Sequence, residues 1–114
     1  MFYTIRQNNS GGYYINNKYV AEVIIVEANS DHEARVLLEN ITDDYSEYCE
    51  CCGYRWNLDF GAFGISQGKE EPCVYNKPIK EYLLNEPWYI RIIVYYLNGD
   101  KIEYTLDNVD GERL

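Results

Sequence analysis

Residues 88–106, WYIRIIVYYLNGDKIEYTL, decide the fold class of this chain. Two stretches rich in β-branched and aromatic residues, 88–97 and 101–106, flank the short segment NGD (98–100). Asn-Gly between two such stretches is the strongest short-range signal for a β-hairpin, because both residues readily adopt positive φ angles. We therefore predict an antiparallel hairpin at this end of the chain.

The N-terminal part of the chain carries a second β pattern. Residues 2–7 (FYTIRQ) alternate apolar and polar side chains, as a half-buried strand does. Residues 19–28 (YVAEVIIVEA) are rich in β-branched side chains and are long enough for a well-buried strand. We expect these two stretches to pair as an antiparallel hairpin, with an irregular connection between them.

Two helices are predicted. Over residues 30–41, Ser30 and Glu33 have the spacing of a capping box, in which each side chain accepts a hydrogen bond from the other residue's amide. Apolar side chains follow at the i, i+3, i+4 and i+7 spacing of one helix face, namely Ala34, Leu37, Leu38 and Ile41. A second, short helix is expected over residues 77–87, with Pro78 in its first turn.

Together these patterns predict a single α+β domain over residues 1–114. Its sheet is mostly antiparallel, built from an N-terminal and a C-terminal hairpin, with one main helix and one short helix. Residues 42–76 show no clear periodicity and hold all four cysteines of the chain. A loop region of this length inside a small domain needs something that holds it in place.

The charge of the chain limits its partners. Nineteen acidic residues against ten basic ones give a formal net charge of −9 at pH 7. Such a surface repels the phosphates of DNA and RNA, so we expect no direct binding to nucleic acid and an attraction to basic protein surfaces. The first ten residues, MFYTIRQNNS, lack the apolar core of a secretory signal, and no apolar run is long enough for a membrane helix. We expect a cytosolic protein with reduced thiols and no membrane contact.

The stretch SEYCECCGYRW (46–56) places three cysteines in four positions. Cys49 and Cys52 have the C-x-x-C spacing of a zinc knuckle, and the glycine that follows permits the sharp turn such a knuckle needs. Cys73 lies twenty-one residues beyond Cys52, a separation similar to that between the halves of zinc ribbons. We expect a structural zinc ion bound by Cys49, Cys51, Cys52 and Cys73, which would clip residues 42–76 together.

Other interpretations of this cysteine cluster stay open. The fourth ligand could be His32, a carboxylate from DDYSEY (43–48) or a water molecule in place of Cys51. A redox pair is a second alternative, although such pairs stand at a helix N-terminus after a strand, whereas these cysteines follow a predicted helix. Inert thiols near the core are a third.

No catalytic motif stands out in the sequence. It has one histidine, His32, and lacks the H-E-x-x-H pattern, the P-loop and the dinucleotide-binding fingerprint. Catalytic zinc usually keeps an open position beside a base, which this chain does not offer. We therefore expect the ion to be structural and the protein not to be an enzyme.

Acidic residues and tyrosines are concentrated in one short segment. Residues 43–50 (DDYSEYCE) carry four acids and two tyrosines in eight positions, and residues 99–112 add five more acids at the C-terminal end. Carboxylates can imitate phosphates, and tyrosines supply rigid contact area, so these residues suit a surface that binds a basic partner. The alternative is an ordinary solvated face and tail.

The stretches MFYTIRQNNSGGYY (1–14) and CECCGYRW (49–56), with the helix start ANSDHEA (28–34), resemble a family of small proteins encoded by phages and prophages of Gram-positive bacteria. The resemblance covers about the first half of the chain. The size, acidity and cysteine-rich loop are also similar to those of phage-encoded anti-CRISPR proteins that inhibit the type II-A CRISPR effector nuclease, some of which bind metal.

The resemblance implies a monomeric, stoichiometric inhibitor in the cytoplasm of the bacterial host. Its partner would be the host CRISPR effector nuclease, whose positively charged lobes hold the guide–target duplex. An acidic protein bound there would block DNA loading or the conformational change that follows. The residues expected to bind this partner are Asp43, Asp44, Tyr45, Glu47, Tyr48 and Glu50. A different basic host target, or a zinc-binding phage protein without inhibitory role, is the alternative.

Overall fold

The strand that organises the sheet is apolar on both of its faces. In Val23–Glu27 (VIIVE) the first four side chains are β-branched and fully buried. A continuous apolar run of this kind is typical of a strand covered on both sides. The computed structural model, which describes residues 1–50 and 53–114, places this strand second in a five-stranded sheet.

The described residues form nine strands and two α-helices. The strands are β1 (Phe2–Arg6), β2 (Val23–Glu27), β3 (Tyr48–Cys49), β4 (Gly53–Tyr54), β5 (Cys73–Val74), β6 (Lys77–Pro78), β7 (Ile92–Tyr95), β8 (Lys101–Thr105) and β9 (Asn108–Arg113). The helices are α1 (Asp31–Thr42) and α2 (Ile79–Asn85), and short 3₁₀ turns cover Ser10–Gly12 and Asp43–Tyr45.

The main sheet has the order β1-β2-β7-β8-β9. Strands β2 and β7 run parallel, and every other neighbouring pair in this sheet runs antiparallel. Two small hairpins, β3–β4 and β5–β6, lie outside it. This arrangement confirms the predicted α+β class, the mostly antiparallel sheet and both predicted hairpins, β1–β2 and β7–β8.

The sheet separates two hydrophobic clusters. Ile24 and Val26 of β2 pack in a cluster with Ala34 and Leu38 of α1. The alternate side chains of β2 pack in the second cluster, which includes α2 and β5. Because neighbouring side chains of a strand point to opposite faces, one short apolar stretch contributes to both halves of the core.

Helix α1 begins as predicted, with one difference in its cap. The hydroxyl of Ser30 accepts a hydrogen bond from the Glu33 amide at 3.1 Å. The Glu33 carboxylate, however, accepts from the amide of Asn29 at 3.4 Å and not from that of Ser30, so the reciprocal half of the capping box is shifted by one residue. The hydroxyl of Tyr3 donates to Asp31 at 2.9 Å and ties the start of the helix to β1.

The C-terminal end of the chain forms a strand, and not the tail that is the alternative interpretation of residues 99–112. Residues 108–113 form β9, which pairs with β8 and contacts α2, and Val109 packs on the second cluster. The predicted short helix over 77–87 is present as Ile79–Asn85, with Pro78 as its N-cap residue and not inside its first turn. Along the described chain, no helix has the length and apolarity that crossing a bilayer requires.

Candidate functional site

Residues 43–76, here called the central segment, contain little regular structure where they are described. A fully buried arginine, Arg55, anchors the first part of this segment. The side chain of Arg55 is 0% exposed. Its Nη1 donates to the Gln7 Oε1 atom at 2.9 Å and to the Tyr13 carbonyl at 2.8 Å, and its Nη2 donates to the Ser10 carbonyl at 2.7 Å. Nη2 also contacts the Glu47 carboxylate at 2.8 Å.

These contacts join three parts of the chain that are distant in sequence. The guanidinium carbon of Arg55 also lies 4.7 Å from the centroid of the Tyr13 ring, and the Tyr13 hydroxyl donates to the Glu47 carboxylate at 3.2 Å. The Arg55 hydrogen bond lowers the pKa of the Glu47 carboxyl. A buried guanidinium with a charged partner and three further acceptors rigidifies the chain around it.

The predicted partner-binding residues divide into two groups. Asp43, Asp44, Tyr48 and Glu50 are exposed, as the prediction requires. Tyr45 is half-buried and packs against the cluster that includes α1. Glu47 is exposed as well, but it is bound to Arg55 and so has a structural role.

An exposed pair of tyrosines lies in the β3–β4 hairpin, which follows Asp43 and Asp44 in the chain. Strand β3 pairs with β4 so that Tyr48 stands opposite Tyr54, and their ring centroids are 4.9 Å apart. Tyr48 is 63% exposed and Tyr54 is 66% exposed. The sequence alone does not identify Tyr54, because its place beside Tyr48 depends on the β3–β4 pairing. We define the acidic–tyrosine face as Asp43, Asp44, Tyr48, Glu50 and Tyr54.

The cysteines are only partly described. Cys51 and Cys52 lie outside the described residues, so the predicted four-cysteine zinc site stays a prediction. Cys49 stands opposite Gly53 in the β3–β4 hairpin, and Gly53 has a φ angle of +82°, which agrees with the sharp turn expected after a zinc knuckle. Cys73 is buried in β5, and burial raises the pKa of its thiol.

Within residues 1–50 and 53–114, no three side chains of the His, Cys, Asp and Glu types are grouped so that they could bind a metal ion. His32, the alternative ligand, is exposed in the first turn of α1. Gly53, which follows the predicted knuckle, and Cys73 both line one cleft.

That cleft, of about 1270 Å³, lies between β1 and the central segment. Its lining includes the basic residues Arg6, Arg35 and Lys69 and the acidic residue Asp59. Aromatic rings of the central segment line it as well, namely Tyr54, Trp56, Phe63 and Tyr75. Sequence analysis did not predict this cleft, because its walls come from segments up to about 70 residues apart that only the fold brings together.

No curated protein and no solved structure matches this chain. The family described as a domain of unknown function (DUF7296) matches residues 1–111, which is nearly the whole chain and includes β1 to β8, the Arg55 anchor and the cleft. The chain therefore belongs to the DUF7296 family.

Proposed function

We propose that this protein is a stoichiometric binding protein, not an enzyme, that docks through its acidic–tyrosine face on a basic protein surface. The observation that carries the proposal is the exposed pair Tyr48 and Tyr54, whose rings lie 4.9 Å apart with a tilt of 57° between their planes, in a hairpin that follows two exposed acids in the chain. Tyrosines contribute much of the binding energy at protein interfaces, and exposed carboxylates steer association with a basic partner.

The Arg55 anchor supports the same proposal. Glu47 lies between Asp43 and Tyr48 in the sequence, and its carboxylate is bound by the Arg55 guanidinium. The Arg55 amide also donates to the Glu47 carbonyl at 2.8 Å. A docking surface that is already ordered loses less conformational entropy on binding than a mobile loop does. The acidic–tyrosine face is therefore suited to tight association without rearrangement.

As the partner we propose the type II-A CRISPR effector nuclease of a bacterial host, on the basis of the resemblance to phage-encoded anti-CRISPR proteins. The inhibitor would act as a monomer in the host cytoplasm and compete for the basic lobes that receive DNA. We also propose that a structural zinc ion, bound by Cys49, Cys51, Cys52 and Cys73, connects the β3–β4 hairpin to β5.

The test is a binding measurement with the purified, guide-loaded effector nuclease immobilised on a biosensor. The double variant Asp43→Asn/Asp44→Asn removes charge that steers association, and Tyr48→Ala removes an aromatic contact. Each should weaken the affinity about tenfold. The matched control is Glu70→Gln/Glu71→Gln, which neutralises two adjacent exposed acids elsewhere on the chain and should leave the affinity unchanged. Affinity of the parent chain should fall as salt is raised.

Two results would contradict parts of the proposal. Equal effects of the two double variants would show that overall charge, and not the acidic–tyrosine face, drives binding. Absence of any binding to the nuclease would overturn the nuclease as partner. If a basic host protein then binds the parent chain but not Asp43→Asn/Asp44→Asn, the face would keep its role with a different target.

A further inference from the structure

The cleft has a charge opposite to that of the whole chain. Three basic residues and one acidic residue line it, whereas the chain as a whole has ten basic residues and nineteen acidic ones. In a protein with such an excess of carboxylates, basic side chains normally form ion pairs with acidic ones. A local cluster of cations facing a cavity therefore indicates a site for an anion.

Arg6 is the strongest single indication. The chain has five arginines, all in the described ranges, and the other four each form an ion pair, with Glu39, Glu47, Glu103 or Asp100. Arg6 makes none; its Nη1 donates to the Tyr75 hydroxyl at 2.7 Å, and its guanidinium carbon lies 5.2 Å from the Tyr75 ring centroid. Glu22 is near enough for its charge to act on Arg6, but it makes no salt bridge to it. The guanidinium is thus positioned by a tyrosine and keeps donors for a ligand.

Two further donors of the cleft lack acceptors. Lys69 forms no ion pair with any residue that the structure describes. Trp56 is only 5% exposed, and its indole Nε1 has no hydrogen-bond partner there. A buried N–H group without an acceptor is costly, and most such groups in native proteins are satisfied by a ligand, water or ion. Lys69 therefore keeps its ammonium for a ligand, and Trp56 places an indole ring in the lining of the cleft.

Two aromatic residues that line the cleft are exposed to solvent. Phe63 is 92% exposed and Tyr75 is 63% exposed. Exposed rings next to cations are the usual components of sites for nucleotide bases, since each base offers a π face for stacking. The cleft volume of about 1270 Å³ is sufficient for a ligand of this size.

The backbone at Tyr75 is unusual in a way that suggests function. Tyr75 and Asn76 form the two-residue turn between β5 and β6, with φ angles of 51° and 64°. Both positions of such a turn need left-handed conformations, which Asn and Gly adopt readily and a bulky tyrosine does not. A strained residue persists where its side chain is needed, and here that side chain holds Arg6.

We propose that the cleft binds a small anionic ligand that carries an aromatic ring, of the nucleoside monophosphate type. Arg6 and Lys69 would bind the phosphate, and the rings of Phe63 and Tyr75 would stack on the base. A nucleic acid strand is disfavoured as occupant, because a polyanion would run beyond the cleft onto a surface of net charge −9. Tyr54 of the acidic–tyrosine face also lines the cleft, but the residues assigned to the ligand lie outside that face, so the two proposals can be tested separately.

Tryptophan fluorescence gives a direct test with AMP as the probe. The chain has two tryptophans, and Trp88 is 75% exposed and lies outside the cleft lining, so Trp88→Phe leaves Trp56 as the reporter. AMP should change the emission of Trp56 and saturate with a dissociation constant below about 1 mM. Adenosine and inorganic phosphate, titrated separately by calorimetry, should each bind at least about tenfold more weakly.

Variants then test the assigned residues. Lys69→Gln should weaken AMP binding about tenfold, whereas Lys80→Gln, the same change at an exposed lysine of α2, should not. Tyr75→Asn should also weaken binding, yet it should unfold at the same or a higher denaturant concentration, because asparagine suits the left-handed turn. This variant separates loss of binding from loss of folding.

Four results would contradict the proposal. No AMP binding below about 1 mM would overturn the site itself. Equal affinity of Lys69→Gln and Lys80→Gln, or adenosine binding as tightly as AMP, would overturn the anion assignment. Undiminished binding by a folded Tyr75→Asn would overturn the role of the Tyr75 ring.

Discussion

The guanidinium of Arg55 is fully buried, and its acceptors include a carboxylate, a side-chain amide and two backbone carbonyls. Lysine could not replace it, because an ammonium is a compact group that cannot reach several acceptors in different directions. At the scale of single residues, the central segment is therefore organised by a polar anchor. The acidic–tyrosine face depends on this anchor through Glu47.

We expect Arg55→Gln to lower the free energy of unfolding by about 3–5 kcal/mol, since it leaves Glu47 and the buried carbonyls without their donor. Urea denaturation followed by far-UV circular dichroism would measure this. The matched control is Arg113→Gln, which breaks the exposed ion pair with Asp100 and should cost about 1 kcal/mol or less. Similar losses for the two variants would mean that Arg55 is not an anchor.

At the scale of elements, β9 is a strand that its sequence pattern does not predict. Its residues, NVDGER, include two acids and one strongly apolar side chain, and so they resemble a tail. Pairing with β8 along the edge of the sheet makes it a strand all the same. Gly111 is essential to this pairing: its φ is +93°, and a Cβ atom there would lie 2.6 Å from Ile102 Cγ2 and 2.8 Å from Tyr104 Cε1.

Gly111→Ala should therefore destabilise the protein more than Gly99→Ala does. Gly99 has nearly the same φ, +94°, but a Cβ atom there would meet nothing within 4 Å. Both alanines carry the cost of a left-handed conformation, about 1–2 kcal/mol, and only Gly111→Ala adds a steric clash of about 1–3 kcal/mol. Thermal unfolding of the two variants side by side gives the difference. Equal unfolding temperatures would show that β9 moves freely away from β8.

At the scale of the whole molecule, two small hairpins lie outside the main sheet and are attached to β1 and to the residues that follow it. The hydroxyl of Thr4 donates to the Cys73 carbonyl at 2.6 Å, and the amide of Asn8 donates to the Arg55 carbonyl at 2.7 Å. The proposed zinc ion would add a covalent-strength link between the two hairpins, with Cys49 in one and Cys73 in the other. Binding of a structural metal is coupled to folding, so its removal acts on the entire domain.

If the zinc ion is present, EDTA should lower the unfolding temperature by more than about 10 °C, and Cys49→Ser, Cys52→Ser and Cys73→Ser should each lose the metal. His32→Ala should keep both metal content and stability, because His32 is an exposed residue of the first helical turn. Elemental analysis and calorimetric scans provide the two readouts. A folded, metal-free chain whose unfolding temperature does not change with EDTA would rule out the structural zinc site.

Local chemistry in the sequence determined much of this protein. Turn residues at 98–100 determined the β7–β8 hairpin, β-branched runs determined β2 and β7, and the Ser30 cap with its apolar stripe determined α1. All of these depend on residues within a few positions of one another. The exposed acids at 43, 44 and 50 could likewise be identified from composition.

Only the tertiary structure decided the parallel β2–β7 pairing, the burial of Arg55 and the cleft beside Arg6. Three of the acceptors of Arg55 lie 42 to 48 residues away in the chain, and Tyr75 lies 69 residues from Arg6. Neither periodicity nor propensity carries information over such separations. A polar side chain becomes an anchor or a ligand-binding group only when the folded chain surrounds it with particular partners and excludes water from it.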